Sequence, residues 1–299
     1  MLAMLTPPPL RPGDRVAVIA PSSPFDAANF REGLAWLASR YELVVRDDVL
    51  AREGYLAGSD ERRLGELREA IAADDVRAIV AARGGYGATR VAHLIDWSAL
   101  RIAPKWLVGF SDVTALHVEA ARAGVRSLHA PMVAFLGGAP AGRAPLLACL
   151  EGEPAPAWEG LAVVVAGEAA GPAYGGNLAL LGACAAAGRL RVPPGALIFL
   201  EDCTERPYRL DRMLTSLRVG GHFDGAAGVV VGGLTDCTPG PDGVTAEAVV
   251  REHLRAIGLP AVLGAPFGHG EDNRPFVIGG HARLLAAGAA GAQGAIRFA

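Results

Sequence analysis

Short apolar runs alternate with amphipathic segments along the first 130 residues of the chain. The run Arg15–Ala20 is apolar after its first residue and precedes a segment in which Phe30, Leu34 and Leu37 recur at helical spacing. This order predicts a strand, a loop and a helix. The alternation continues through segments 43–45, 60–73, 78–82 and 88–95. Alternating β and α units predict a parallel sheet covered by helices, so an α/β fold is expected.

A change of composition divides the chain into two predicted domains. Glycine, alanine and proline dominate residues 137–160, which is typical of a connection between domains. We therefore predict an N-terminal domain over residues 1–140, a linker over residues 141–165 and a C-terminal domain over residues 166–299. Further strand-like and helix-like segments predict a second β/α domain in the last part; they are 161–165, 197–200, 207–219, 229–231 and 244–257.

Composition and charge argue against several classes of protein. The 299 residues include 28 basic and 31 acidic side chains, without a basic stripe, so no nucleic-acid partner is expected. The 4 cysteines form no Cys-x-x-Cys pair, which argues against a zinc knuckle or a disulfide framework and suits a reducing compartment. Segment Met1–Pro9 lacks the features of a secretory signal, and no apolar run reaches the length of a membrane span. A cytoplasmic protein without a membrane partner is the expectation.

A serine follows an apolar strand-like run and leads directly into a predicted helix. Trp106–Val108 predicts the strand, Gly109 removes a side chain where the chain bends, and Ser111 stands on the connecting turn. Enzymes of the α/β class present nucleophiles at such turns, where N–H groups of the helix start can stabilise an oxyanion. Two points stay open. Ser111 or Asp112 could instead cap the helix, and Val113 replaces the second glycine of the hydrolase Gly-x-Ser-x-Gly pattern.

Two further ionisable side chains follow predicted strands in loops. Glu201 comes directly after the apolar run Leu197–Leu200, and His269 has glycine on both sides. Each could also be an ordinary surface residue. With Ser111 they give the chain order nucleophile, acid, base that also occurs in α/β hydrolases. In this hypothesis His269 removes the proton of Ser111, and Glu201 orients the imidazole.

Seven groups of residues carry a family resemblance. They are Val18–Ser23, Arg83–Gly87, Gly109–Asp112, His129–Met132, Gly175–Leu178, Leu200–Asp202 with Arg206–Leu214, and Gly268–Gly270. In this order, and over nearly the whole chain, they resemble the LD-carboxypeptidases. That family of cytoplasmic serine peptidases includes muramoyl-tetrapeptide carboxypeptidase and the microcin C immunity hydrolases.

The resemblance implies a flavodoxin-like N-terminal domain with a parallel sheet, a swivelling β/α C-terminal domain and a homodimer. It also implies that Ser111 is the nucleophile, that Glu201 and His269 complete a triad, and that the N–H groups of Gly85 and Asp112 form the oxyanion hole. No metal or cofactor is implied. The principal reaction of the family removes D-alanine from a murein tetrapeptide by cutting its bond to the L-centre of meso-diaminopimelate, in peptidoglycan recycling.

A carboxypeptidase must also hold the free carboxylate of its substrate. Guanidinium pairs with carboxylate bidentately, so the candidates are Arg83, Arg206, Arg209 and Arg212. Gly84 and Tyr86 are predicted to line the substrate site beside Arg83, although Tyr86 could instead pack at a domain interface.

Three other functions compete with the murein peptidase. The first is a microcin C-type hydrolase of aminoacyl nucleotides, which is disfavoured because Trp158 is the only tryptophan between His129 and Gly175. The second is a non-catalytic protein that binds a small ligand on its glycine-rich loop. The third is a hydrolase that uses Cys203, which is disfavoured because no basic partner is evident beside this residue in the sequence.

Overall fold

The computed structural model describes residues 4–288 and 292–299. Residues 1–3, the start of the segment predicted not to be a signal, lie outside the described residues. The chain forms two compact units. The first comprises Met1–Glu153 with Arg274–Val277, and the second comprises Pro154–Asn273 with Ile278–Ala299.

Strands and helices alternate through most of the described residues. The strands are β1 Arg15–Ile19, β2 Glu42–Val45, β3 Val76–Ala81, β4 Trp106–Gly109, β5 Ser127–His129, β6 Trp158–Val165, β7 Gly167–Asn177, β8 Leu197–Cys203, β9 Gly228–Thr235, β10 Ala261–Leu263, β11 Phe276–Ile278, β12 His281–Ala286 and β13 Gln293–Phe298. The helices are α1 Ala27–Ala38, α2 Asp60–Ala72, α3 Ala88–Ala92, α4 Ser98–Ile102, α5 Thr114–Arg122, α6 Val133–Gly138, α7 Arg143–Leu150, α8 Leu178–Ala186, α9 Pro207–Val219 and α10 Ala246–Ile257. None of these helices is long and apolar enough to cross a membrane.

The first unit is built on a six-stranded sheet in the order β2-β1-β3-β4-β5-β11. The pairs β1–β2, β1–β3, β3–β4 and β4–β5 are parallel. Central positions such as Val18, Val80 and Val108 are fully buried and pair across neighbouring strands. The order 2-1-3-4-5 is that of flavodoxin-like sheets, so the predicted α/β class is confirmed.

The second unit is a closed barrel in the order β10-β6-β13-β12-β7-β8-β9. The strands β7, β8 and β9 run parallel, whereas β12 pairs antiparallel with β7 and β13. Trp158 is buried and its ring stacks on Phe267 and meets the edges of Phe199 and Phe298. This tryptophan therefore belongs to the core of the second unit.

The segment predicted to be a linker, residues 141–165, contains α7 and β6. The chain passes from the first unit to the second between Glu153 and Pro154. It returns at Arg274–Val277, which adds the edge strand β11 beside β5. Phe276 in this strand stacks on His129 with ring centroids 4.7 Å apart.

Helices α1 and α6 cross at two glycines that allow close approach of their backbones. A side chain at Gly33 would overlap the carbonyl oxygen of Val133, and one at Gly137 would overlap that of Asn29. Glycine inside a helix costs about 1 kcal/mol relative to alanine. The contact between the helices therefore depends on the absence of two methyl groups.

We expect Gly137→Ala to lower the thermal unfolding midpoint, because overpacking of a tight contact costs about 1–3 kcal/mol. Gly65→Ala in α2 is the matched control, since its new methyl group would be in ordinary van der Waals contact with Arg46 Nη1, 3.8 Å away. That variant should be stabilised by about 1 kcal/mol through helix propensity. Similar shifts for both variants in calorimetry would contradict the packing argument.

Candidate active site

Three loops follow the carboxyl ends of β1, β3 and β4 in the first unit. We call them the β1 loop, residues 20–24, the glycine loop, residues 82–87, and the nucleophile turn, residues 110–113. The strand order reverses between β1 and β3, and ligands of open α/β sheets bind at such a switch point. The sheet thus brings the predicted nucleophile and the glycine loop to one edge.

Ser111 has the backbone conformation of a nucleophile turn. Its φ is +62°, in the left-handed region that non-glycine residues rarely adopt, and a 3₁₀ turn over Ser111–Val113 leads into α5. A side chain at Gly109 would lie 2.9 Å from the methyl groups of Val113. Val113, which replaces the second glycine of the hydrolase pattern Gly-x-Ser-x-Gly, therefore packs on Gly109. This contact keeps the turn tight.

The glycine loop lies directly against Ser111. A side chain at Gly84 would come within 3.0 Å of Ser111 Cβ and 3.1 Å of its Oγ. Gly85 has a φ of +103°, and a side chain there would lie 2.6 Å from Ser23. Ser23 Oγ in turn accepts a hydrogen bond from Tyr86 N at 3.0 Å. Both glycines are therefore required by the close approach of the loops.

Asp112 does not cap the helix that follows it. The carboxylate of Asp112 turns instead toward the β1 loop and the start of α3. Its Oδ2 accepts hydrogen bonds from Ser22 Oγ at 2.6 Å and from Ala88 N at 2.7 Å. Burial raises the pKa of Asp112, and the hydrogen bonds and the charge of Arg63 oppose that shift. The capping alternative for Asp112 is thus wrong.

Glu201 and His269 form a hydrogen-bonded pair in the second unit. Glu201 Oε2 and His269 Nδ1 are 2.7 Å apart, and the carboxylate is fully buried. Gly268 has a φ of +110°, and a side chain there would lie 2.7 Å from Glu201 Oε2. Gly268 N also donates to Asn273 Oδ1 at 3.2 Å. The glycine before the histidine therefore makes room for the carboxylate.

The sequence prediction that Glu201 lies in a loop is wrong. Glu201 lies inside β8, which continues to Cys203 and pairs Glu201 with Asn177 of β7. Barrel pairing on both sides of β8 extends the strand beyond its apolar run. The carboxylate consequently rests on a rigid element, whereas His269 lies in a loop.

Two opposing effects act on the pKa of His269. Burial of the ring lowers it, but hydrogen bonds to Cys203 and Glu201 and the negative charge of Glu201 raise it above its ordinary range. With Nδ1 directed at Glu201, Nε2 is the ring atom suited to exchange a proton with a reacting group.

Several residues that hold the elements of the site in place were not predicted from the sequence. Asp202 accepts hydrogen bonds from Asn177 Nδ2 at 3.0 Å and from Ala179 N at 3.1 Å, and so fixes the start of α8 beside β8. Burial raises the pKa of Asp202 to about 6. Ser22 and Arg63 hold the loops of the first unit. The sequence signal for Ser22 was its place in the segment Val18–Ser23, and that for Asp202 was its place in Leu200–Asp202. Arg63 lies in none of the segments that carry the family resemblance.

The structure distributes the candidate arginines over both units. Arg83 lies in the glycine loop and its Nη1 donates to Pro24 O at 3.2 Å. Tyr86 in the same loop is about half exposed, and its ring lies 5.8 Å from that of Tyr55. The other three arginines lie at or near α9: Arg206 donates to Thr238, whereas Arg209 and Arg212 contact the ring of Tyr208.

The two units hold complementary sets of chemical groups. The first presents a serine hydroxyl beside backbone N–H groups, and the second presents a histidine oriented by a buried carboxylate. These are the components of serine-type acyl transfer. No group of three or more His, Cys, Asp or Glu side chains within the described part of the chain is arranged to hold a metal ion.

Two family models match the chain. The LD-carboxypeptidase N-terminal domain matches residues 16–130, and the LD-carboxypeptidase C-terminal domain matches residues 170–284. A murein tetrapeptide carboxypeptidase of Pseudomonas aeruginosa is 32% identical over 89% of this chain and 91% of its own length.

Solved structures show the same fold. The muramoyltetrapeptide carboxypeptidase from Oxalobacter formigenes superposes with a TM-score of 0.82 at 27% identity, over 95% of this chain and 98% of its own. The microcin C7 self-immunity protein MccF, in complex with aspartyl sulfamoyl adenosine, has a TM-score of 0.86 at 20% identity, over 99% of this chain and 98% of its own. At that identity the second likeness concerns the fold alone.

We expect Glu201→Gln to lower the pKa of His269, because the amide removes the negative charge that stabilises the imidazolium while burial of the ring persists. Titration of the His269 ring by NMR checks this: in the wild type it should titrate above the ordinary pH of about 6.5, and in the variant at lower pH. Glu205→Gln is the control, since Glu205 is not among the groups that shift this pKa. Equal titration of the wild type and Glu201→Gln would contradict the pairing.

Proposed function

The chain belongs to the LD-carboxypeptidase family, and from that membership we propose that it is a serine carboxypeptidase that releases the terminal D-alanine from murein tetrapeptides. The observation that carries the proposal is the turn at Ser111, where a serine with positive φ lies against Gly84 of the glycine loop. Relatives named for murein and muramoyl tetrapeptide substrates support the substrate class.

In the proposed mechanism Ser111 Oγ attacks the amide carbonyl carbon while His269 Nε2 accepts its proton. The carbonyl oxygen takes up the electron pair, and the N–H groups of Gly85 and Asp112 stabilise it. Collapse of the tetrahedral intermediate breaks the C–N bond, and His269 gives the proton to the leaving amine of D-alanine. A water molecule then attacks the acyl-enzyme in the same way. Glu201 stabilises the imidazolium form at each step.

The glycine loop is also the proposed recognition element. Arg83 directly precedes Gly84, and its guanidinium has five N–H donors in a planar array that fits a carboxylate. We assign Arg83 to the free carboxylate of D-alanine. Gly84 and Tyr86 then line the same substrate site, with Gly84 leaving room beside the nucleophile.

We further propose that the protein acts in the cytoplasm as a homodimer, in the recycling of peptidoglycan. The four cysteines are free thiols, which supports a reducing compartment. The homodimer rests on the resemblance to the family.

The alternative of an aminoacyl-nucleotide hydrolase gains no support from the aromatic residues. Trp158, the tryptophan that could have stacked on a nucleobase, is 1% exposed and packs among phenylalanines of the second unit. MccF is 20% identical to this chain, and at that identity the likeness concerns the fold alone. We therefore retain the murein peptide as the substrate.

Release of D-alanine from a diaminopimelate-containing tetrapeptide tests the function directly. We expect Ser111→Ala to lose about 10⁴-fold or more in kcat, as removal of a triad serine does elsewhere. Cys203→Ala is the matched control, because Cys203 is the other candidate nucleophile and is among the groups that raise the pKa of His269. It should retain most of the activity.

Three outcomes would contradict the proposal. Loss of activity in Cys203→Ala with full activity in Ser111→Ala would assign the nucleophile to the cysteine. Turnover of an aminoacyl sulfamoyl adenylate without release of D-alanine would assign the protein to the immunity hydrolases. Binding of a murein peptide without turnover of either compound would indicate a ligand-binding protein.

A further inference from the structure

Two buried side chains bind groups of the β1 loop and of the glycine loop with the start of α3, and they lie on different elements of the first unit. The first is Arg63 of α2, whose side chain is fully buried. Its Nη1 donates to the carbonyl oxygens of Pro21 and Gly87, each at 2.8 Å, and its Nη2 pairs with Asp60. One guanidinium nitrogen therefore ties the two loops together.

The second buried side chain is Asp112, which follows the nucleophile. Its Oδ2 accepts the hydroxyl of Ser22 and the N–H of Ala88. Ser22 and Ala88 directly follow Pro21 and Gly87, the two residues whose carbonyl oxygens bind Arg63. Asp112 and Arg63 consequently hold adjacent groups of the same two segments.

The fit around this arrangement is close. Gly87 has a φ of +135°, and a side chain there would lie 2.5 Å from Arg63 Nη1 and 2.9 Å from Leu56 Cδ2. The charges of Arg63 and Asp112 attract each other and oppose the effect of burial on both groups. Buried charged groups contribute little net stability compared with apolar residues of similar volume. What the two side chains do provide is a defined hydrogen-bond geometry at Pro21, Ser22, Gly87 and Ala88.

We propose that Asp112 and Arg63 are positioning residues that hold the glycine loop at Ser111, so that the N–H groups of Gly85 and Asp112 converge on one oxyanion. The inference rests on the proposed function, because it takes those two N–H groups as the oxyanion donors. It adds a role for two buried side chains that do not touch the substrate.

The arrangement acts on the transition state rather than on substrate binding. Charge develops on the carbonyl oxygen only as Ser111 attacks, so misplaced N–H donors reduce kcat while the ground-state complex is little changed. A residue that merely supports folding would instead change stability, or KM together with kcat. The split between kcat and KM therefore separates the two roles.

The test uses three variants of the full-length protein in the D-alanine release assay. Asp112→Ala removes both hydrogen bonds of the carboxylate and should lower kcat about 100-fold, comparable to the loss of one oxyanion donor. Ser22→Ala removes one of them and should lower kcat about 10-fold. Asp112→Asn keeps an oxygen that can accept from both Ser22 and Ala88, and it should restore most of the kcat lost in Asp112→Ala. KM should change less than about threefold in all three.

Ser127→Ala is the matched control for Ser22→Ala. Ser127 is also fully buried in the first unit, and its hydroxyl bonds to His117 at 2.9 Å instead of to Asp112. The Ser127→Ala variant also lacks one buried serine hydroxyl, but it should keep the kcat of the wild type. Thermal unfolding of every variant shows whether the fold is retained, and if Asp112→Ala does not fold, Ser22→Ala and Asp112→Asn still decide the question.

The outcomes distinguish this inference from the proposed function. Full activity in Ser111→Ala would overturn the function itself. Loss of activity in Ser111→Ala with wild-type kcat in Ser22→Ala and Asp112→Ala would overturn only the positioning role. An equal loss of kcat in Ser127→Ala, or a loss confined to KM, would overturn it as well.

Discussion

A serine held in the left-handed backbone region is the constraint on which the site of the first unit depends. The conformation of Ser111 costs about 1–3 kcal/mol and persists only because the surrounding residues determine it. Gly109 leaves space for Val113 behind the turn, and Gly84 leaves space in front of the hydroxyl. A side chain at Gly109 would collide with the methyl groups of Val113, and one at Gly84 would crowd Ser111, so both glycines help to keep the turn and the glycine loop close together.

Buried carboxyl groups hold loops and helix starts in both units. In the first unit the carboxylate of Asp112 binds the N–H of Ala88 at the start of α3. In the second, Asp202 binds the N–H of Ala179 at the start of α8 in the same manner. Apolar contacts are not directional, whereas a buried carboxylate accepts hydrogen bonds only at defined positions. The loops therefore have the positional accuracy that catalysis requires.

The apolar pattern predicted some elements well and others not at all. The helix α9 was expected over the residues it occupies, because its apolar positions recur on one face up to Gly220. Strand β7 was missed, since Gly167–Asn177 is rich in glycine and alanine and becomes a strand through pairing with β8 and β12. Strand β11 was missed as well, because a three-residue segment between the barrel strands β10 and β12 carries no sign that it joins the sheet of the first unit.

By itself the sequence determined the α/β class and the place of Ser111 on the turn after the strand β4, because burial imposes its period on neighbouring residues. The tertiary structure decided that Glu201 lies inside a strand and that Asp112 binds Ser22 and Ala88 instead of capping its own helix. Ser22 and Asp112 are separated by 90 residues. Such partners leave no periodic trace in the chain, because a hydrogen bond depends on closeness in space and a hydropathy pattern records only which side of an element is buried.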